Sequence, residues 1–210
     1  MFRTLCTLEI AGYIRRLEDD RFSIEPNAVS PLNRMVKRVV DAAESTLKSL
    51  GHEFRETISL AIPFDNRIEV VSVIDSPHRV RMGNMVGDIL PPHASSLGKC
   101  LTALLPESHR SRLLRAFGMV SFTPHTITEE APLCKEFDLV RARGYATDIE
   151  ESVLGGCCVS APVIASHGQV AAAVSISMPK MRFARRKRMV AALMSGTRAI
   201  ASSLAESTRH

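Results

Sequence analysis

Residues 157–177 read Cys-Cys-Val-Ser-Ala-Pro-Val-Ile-Ala-Ser-His-Gly-Gln-Val-Ala-Ala-Ala-Val-Ser-Ile-Ser. Cys157 to Ala165 and Val170 to Ser177 alternate with the period of two expected of strands, and Ser166-His167-Gly168-Gln169 supplies a turn between them. One face of the second strand carries Val170, Ala172, Val174 and Ile176, and the other Ala171, Ala173, Ser175 and Ser177. The first strand divides into Cys157, Val159, Ala161 and Val163 against Cys158, Ser160, Pro162 and Ile164. A four-residue turn pairs Ala165 with Val170, which sets Ser160 opposite Ser175 and Cys158 opposite Ser177. A five-residue turn slips the register by one and separates these four polar groups. The hairpin therefore has a core face and a small, partly polar face. The polar face reads either as the wall of a concave site for a polar ligand or as a surface on which a helix packs closely.

Further strands lie upstream. Thr57 to Ile62 alternates with Ile58, Leu60 and Ile62 on one side, Ile68 to Ile74 is rich in β-branched residues, and Val80 to Met85 reads as another strand. Helices are expected at Ser95 to Leu105, from Pro106 onward, at Thr128 to Arg143 with Thr128 as its N-cap and Gly144 as its stop, and from about Arg186 to Ala205. Paired strands with helices between them predict an α+β fold, an antiparallel sheet covered by helices. Ahead of it, residues 2–11 read as a helix stopped by Gly12. Two short strands, Tyr13 to Arg16 and Arg21 to Ile24, flank the turn Glu18-Asp19-Asp20. Helix plus wing is the back half of a winged helix-turn-helix. Pro26 to Asn33 marks a boundary, and residues 34–50 form a helix with the stripe Met35, Val36, Val39, Val40, Ala43, Leu47 and Leu50, ended by Gly51. This stripe is long and apolar enough to call for a partner surface, hence a homodimer at least.

The chain has 210 residues, 45% of them hydrophobic and 23% charged, which fits a folded globular protein and excludes a disordered one. No run of about 18 apolar residues points to a membrane span, and the N-terminus carries no secretory signal pattern. Five cysteines, two of them adjacent, make a poor disulfide framework and point to a reducing cytoplasm. The net charge of +5 is uneven: residues 178–210 carry eight Lys and Arg against Glu206 alone. A basic run can be an anion-binding patch, but without aromatic interleaving it reads better as a solvated stretch entering a terminal helix.

Catalytic and metal chemistry find little support. His93, Cys100 and Asp148 could serve as base, nucleophile and orienter, yet His93 sits in a turn motif that suggests capping or packing. Gly98-Lys99 is no phosphate loop, because Cys100 stands where Ser or Thr is needed. No zinc spacing is present, and Cys157 and Cys158 point to opposite faces of a strand. That pair could sense thiol oxidants, but burial makes thiols inert. No cofactor and no metal are expected.

The segment Gly87-Asp-Ile-Leu-Pro-Pro-His-Ala-Ser-Ser-Leu-Gly-Lys99 resembles the G-x-x-x-P-x-H-A-(S/T)-x-x-G-K signature of IclR-type bacterial transcriptional regulators. Thr126-Ile127, Leu133, Arg141-Ala-Arg-Gly-Tyr-Ala-Thr-Asp-Ile-Glu-Glu151, Leu154-Gly155, Cys158-Val-Ser-Ala-Pro-Val163 and Val174-Ser-Ile-Ser177 continue it in order, over roughly residues 2–206. The resemblance implies a partial winged helix-turn-helix at 1–27 and a GAF-like effector-binding domain at 28–210, with 34–50 as linker helix. It also implies a repressor or activator that binds operator DNA as a homodimer or homotetramer and responds to a small organic acid, aromatic, hydroxy or keto. Carried over position by position, the effector site comprises Met82, Leu90, the backbone near Ser96 and Leu97, Asp148, Gly156, Cys158, Ser175 and Ser177. Gly156 stands where the family places a larger apolar residue, which implies extra room there. Asp148 is expected to accept a hydrogen bond from a ligand hydroxyl or from water. Arg3, Thr4 and Arg21 fall at the end of the DNA-reading helix and on the wing. The family's first two helices have no counterpart, which implies weak operator binding if the chain begins at Met1. A stand-alone GAF-like sensor acting through protein contacts is the alternative.

Overall fold

A computed structural model describes residues 2–10, 13–17, 21–24, 31–165 and 168–206. The chain divides into two compact units, 1–38 and 39–210. The first unit contains helix α1 (Phe2–Ile10) and a two-stranded antiparallel ribbon, β1 (Ile14–Arg16) with β2 (Phe22–Ile24), in which Arg15 faces Ser23. The expected turn at residues 18–20 and the stop at Gly12 lie outside the described residues. Thr4 and Arg21 are exposed, and the side chain of Arg3 is not among those described.

Helix α2 runs from Pro31 to Phe54, longer at both ends than the sequence reading. Pro31 opens the helix instead of breaking the chain, because the first helical position needs no N–H. Gly51 does not end it. A Cβ there would lie 2.8 Å from the Ile74 side chain, so glycine serves close approach of the helix to the sheet. The stop falls at Arg55, in the left-handed region at φ 56°. From Val39 onward the apolar stripe (Val39, Ala43, Leu47, Leu50, Phe54) is buried within this chain, whereas Met35 is exposed. Of the remaining members of the stripe, Val36 and Val40 are partly exposed.

The second unit is built on a five-stranded antiparallel sheet in the order β4-β3-β7-β6-β5. Its strands are β3 (Thr57–Pro63), β4 (Ile68–Ile74), β5 (Ala146–Ile149), β6 (Gly156–Ile164) and β7 (Val170–Pro179). Helices α3 (Ser96–Leu104), α4 (Glu107–Phe117) and α5 (Glu130–Arg143) follow β4, and α6 (Arg186–Glu206) closes the chain after a 3-10 turn at Lys180–Arg185. The α+β architecture of an antiparallel sheet with helices is as expected. Strand β5 escaped the sequence reading, although Ala146 and Asp148 alternate with Thr147 and Ile149. Helix α5 starts at Glu130 after Glu129, not at Thr128, because the Thr126 hydroxyl instead organises the turn by accepting N–H groups of Phe122 and Thr123.

Val80 to Met85 is not a strand. Gly87, at φ +95°, turns the chain so that the next segment covers the β4 edge: Gly87 N–H donates to Val70 O at 2.8 Å and Leu90 N–H to Ile68 O at 2.9 Å.

In the hairpin, Ser160 pairs with Ser175 and Cys158 with Ser177, as the alternation requires. The tip differs. Ile164, not Ala165, faces Val170, and Ala165 N–H reaches Gln169 O at 2.8 Å. The pairing jumps from Val163–Ala172 to Ile164–Val170, so Ala171 forms a bulge that takes up the extra tip residue. Residues 166 and 167 of the expected turn lie outside the described residues.

Three cations of the basic run are paired internally: Lys180 with Glu150, Arg182 with Glu56 at 2.8 Å, and Arg188 with Glu53 at 2.8 Å. These pairs account for half of the cations between Lys180 and Arg188.

Candidate functional site

Sheet register collects one polar layer. Asp148, Cys158, Ser177 and Thr57 stand side by side across β5, β6, β7 and β3. Two residues along each strand, hence on the same face, Ala146, Ser160, Ser175 and Ser59 form the adjacent row. Further along this face lie Ala61 and Ala173, which join Leu97, Leu101, Phe137 and Val140 of α3 and α5 in one apolar cluster. The layer is thus a small-residue floor beneath the start of α3.

The signature segment builds the other wall. Ser95 caps α3: its Oγ accepts the Gly98 N–H at 3.0 Å and donates to Pro91 O at 2.9 Å. Glycine is required at 98, because a Cβ would stand 2.0 Å from Pro91 O. Ser160 Oγ donates to Ser96 O at 2.7 Å and so fixes the hairpin to the helix start. The first N–H groups of a helix have no partner within it and carry the positive end of its dipole. Here that end faces Cys158, whose thiol lies against Ser96 and donates to Ser177 Oγ at 3.2 Å. Burial, with the Asp148 charge adding, pushes the Cys158 thiol far above its ordinary range. Ser175 Oγ and Thr57 Oγ1, each in a residue no more than 1% exposed, have no hydrogen-bond partner.

His93 Nε2 lies 2.9 Å from Val120 O, and the ring stacks on Phe122 at 5.9 Å. Burial lowers its pKa, the bond to the Val120 carbonyl opposes that, and the nearby Lys99 charge lowers it further. Cys100 is wholly buried, and burial raises its thiol to about 12. Asp148 is committed to its own loop, accepting Glu151 N–H at 2.7 Å, Ser152 N–H at 3.3 Å and the Ser152 hydroxyl. A histidine held to a backbone carbonyl, a protonated thiol and an engaged carboxylate do not form a nucleophilic triad. Among the described residues, no three His, Cys, Asp or Glu side chains converge as metal ligands, and no helix is long and apolar enough to cross a membrane.

Lys99 was passed over in the sequence except as part of a motif. Its ammonium is 1% exposed and donates to both Glu151 oxygens at 2.6 Å. Glu136 lies 3.7 Å away and is itself bridged to Arg143 at 2.8 Å. Glu151 retains a pKa raised to about 6, because burial outweighs Lys99 and the Asp148 charge adds to it. Thr123 and Thr126 hydroxyls donate to Glu150 O and Glu151 O, each at 2.6 Å. The loop that follows β5, carrying Glu150 and Glu151, is thereby tied to α3.

Of the expected site residues, the structure gathers Ser96, Asp148, Cys158, Ser175 and Ser177 on this layer, with Met82 and Gly156 at its edge. The extra room expected at Gly156 is absent. A Cβ there would lie 2.8 Å from the Met82 methyl and 2.7 Å from Val153, which fill the space. Leu90 and the Leu97 side chain belong to the apolar cluster under α3. Thr57 and Ser59 were missed, although they are the polar positions of the alternating stretch Thr57–Ile62. A separate cavity of about 710 Å³ is lined by Leu105, Pro106, His109, Arg110, Arg141 and Gln169, and by no residue of the layer.

A family profile described as "Bacterial transcriptional regulator IclR C-terminal" matches residues 34–205. The chain belongs to the IclR family. Among curated IclR-type relatives, the HTH-type transcriptional regulator KdgR of Dickeya chrysanthemi is 30% identical over 186 residues, covering 87% of this chain and 61% of that protein. The transcriptional repressor IclR of Escherichia coli is 30% identical over 185 residues, covering 86% of this chain and 68% of that protein. The chain thus spans about three fifths of the length of the Dickeya relative. The solved C-terminal domain of Escherichia coli KdgR superposes with a TM-score of 0.72 at 29% identity, covering 80% of this chain and 99% of that one. The inducer-binding domain of Acinetobacter PobR, solved as a double mutant with 3-hydroxybenzoic acid, shares the fold with a TM-score of 0.69 at 24% identity over 77% of this chain and 96% of that one. These relatives are transcriptional regulators and not enzymes, in agreement with the sequence reading.

Proposed function

We propose that this IclR-family chain regulates transcription by binding a small organic acid on the polar layer beneath α3, and that binding alters its hold on operator DNA. The observation that carries this reading is the buried Ser175 hydroxyl, unpartnered at the base of a helix N-terminus. A buried donor left unmade costs free energy that a ligand acceptor recovers. The acid's carboxylate takes the N–H groups near Ser96 and Leu97 and the hydroxyls of Ser175 and Ser177, while Met82 borders its apolar part. Asp148 does not serve as an open acceptor for the ligand. It holds the 148–152 turn and so shapes the wall. That the PobR domain of the same fold takes a hydroxylated aromatic acid supports the ligand class.

Regulators that read two half-sites act as symmetric oligomers, and the proposal includes a homodimer or homotetramer working in the cytoplasm. In a relative of this kind, α1 and the β1–β2 wing are the elements that would meet DNA, with Thr4 and Arg21 exposed on them.

Calorimetry of the protein against hydroxy, keto and aromatic acids tests the reading. Ser175→Ala with Ser177→Ala is expected to weaken binding at least about tenfold, from about 1 kcal/mol or more per lost bond. An acid bound equally well by the double variant places the site elsewhere.

A further inference from the structure

Thr57 is matched by none of the motif positions, yet its surroundings repeat those of Ser175. It lies on β3 directly opposite Ser177, on the sheet face that also carries Ser175 and Ser59. Its side chain is buried, and its hydroxyl makes no hydrogen bond. Ser177 Oγ accepts from the Cys158 thiol, which leaves its own proton to donate. Three hydroxyl donors therefore stand together on adjacent strands, two of them with no partner in the fold.

The charge pattern across the row is directional. Asp148 lies at the other end, three strand spacings from Thr57, or about 14 Å at the usual spacing of neighbouring strands. An anion is disfavoured beside Asp148, whereas the buried carboxylate next to Thr57, that of Glu56, is already paired with Arg182. The two described cations nearest the row are both engaged, Lys99 by Glu151 and Arg182 by Glu56. Neutral donors can hold a single carboxylate but do not compensate a dianion buried in the same place.

Residues 82–84 lie over the same spot. The Met82 methyl abuts Gly156, a Cβ on Gly83 would be 2.6 Å from Thr57 Cγ2 and 3.0 Å from its Oγ1, and Asn84 Nδ2 reaches Ser59 Oγ at 3.4 Å. Thr57 is thus roofed by this strap and floored by the sheet, with its hydroxyl between them.

Resting on the acid-binding reading above, we infer that Thr57 contacts the ligand directly: its hydroxyl, with those of Ser175 and Ser177, forms a three-donor clamp for the carboxylate of a small monocarboxylic acid. The clamp selects against phosphorylated and dicarboxylic ligands, whose second charge finds no cation. The ligand's apolar or hydroxylated body points along the row toward Cys158 and Met82.

The experiment measures binding of pyruvate, lactate, benzoate and 3-hydroxybenzoate, with malonate and succinate as dianionic controls and phosphoenolpyruvate as a more highly charged one, to the full chain and to Thr57→Val, Thr57→Ser and the Ser175→Ala/Ser177→Ala pair. At least one monocarboxylate binds the parent, Thr57→Val weakens it by about tenfold, the loss expected for one buried hydrogen bond to a charged group, and Thr57→Ser restores it. The melting temperature of unliganded Thr57→Val stays level or rises, because a methyl replaces a hydroxyl that the fold does not use. Unchanged binding by Thr57→Val alongside weakened binding by the serine pair overturns the role of Thr57 and leaves the acid-binding reading standing. A melting temperature that falls by several degrees in Thr57→Val shows a hydroxyl serving the fold and also overturns it. Dianions bound as tightly as monocarboxylates remove the neutral clamp. Failure of every monocarboxylate to bind the parent overturns the acid-binding reading, and the clamp with it.

Discussion

The Lys99 ammonium and the Glu151 carboxylate, 52 residues apart in sequence, meet in a bidentate pair at 2.6 Å that solvent scarcely reaches. The pair ties helix α3 to the loop that follows β5, and so holds together two walls of the candidate site. Removing one member of a buried pair leaves the other charge uncompensated, which is far costlier than replacing both. Lys99→Met is expected to lower stability by about 3–5 kcal/mol, and Lys99→Met with Glu151→Leu to recover much of it. Urea unfolding monitored by circular dichroism reports both. A single variant as stable as the parent would show that the pair does not hold the walls.

Glu151 also sets a pH dependence. Its folded pKa of about 6 lies above the ordinary value of 4.5, because burial outweighs the attraction of Lys99. The folded state therefore holds this proton more tightly than the unfolded state. The resulting stability is fully present below about pH 4.5 and is lost as pH rises through about 6, a change of at most about 2 kcal/mol. Asp148, raised by burial against its Ser152 bond, acts in the same direction. Glu151→Gln, which keeps an acceptor for Lys99, is expected to flatten this part of the stability curve. A parent curve no steeper than that of the variant between these pH values contradicts the assignment.

Gly98→Ala is expected to cost about 4 kcal/mol or more, among the largest effects of a single methyl group, because the added carbon would sit 2.0 Å from the Pro91 carbonyl oxygen. Helix α3 would have to move off its Ser95 cap. Expression of a soluble variant with the parent's melting temperature would refute the close contact.

Thiol reactivity separates exposed from buried cysteines. Cys134 is exposed, whereas Cys100 and Cys157 are buried and raised to about 12 and about 11, and Cys158 is raised further still. With an aromatic disulfide reagent at neutral pH, Cys134 is expected to react first, and Cys100, Cys157 and Cys158 only after denaturation. Rapid reaction of the 157–158 pair in the folded protein would revive oxidant sensing, which the burial of Cys157 and the raised pKa of the half-buried Cys158 disfavour.

Strands β3, β6 and β7 were legible because alternation survives burial when one face carries small residues, and β4 because it is rich in β-branched residues. Strand β5 was not, being four residues long directly after a helix stop. The Val80–Met85 segment carries apolar side chains without a strand's pairing, and only the fold shows that the β4 edge is taken by residues 87–90. At the site, Cys158, Ser175 and Ser177 could be placed from register alone. Lys99 and Glu151 could not, since a pair 52 residues apart depends on tertiary packing. The reach of Gly156 was misjudged for the same reason: nothing in the sequence indicates that Met82 returns to fill the space beside it.

The bulge at Ala171 separates two roles within one hairpin. Below it, strand pairing is fixed residue by residue through Ser160–Ser175 and Cys158–Ser177. Above it, the tip has already accommodated one residue more than a four-residue turn would need. A one-residue change in loop length is thereby absorbed above the site, without rephasing the donors on the floor. An insertion between Ala172 and Ser175 has no such freedom, since it would turn both serines over to the opposite face of the sheet.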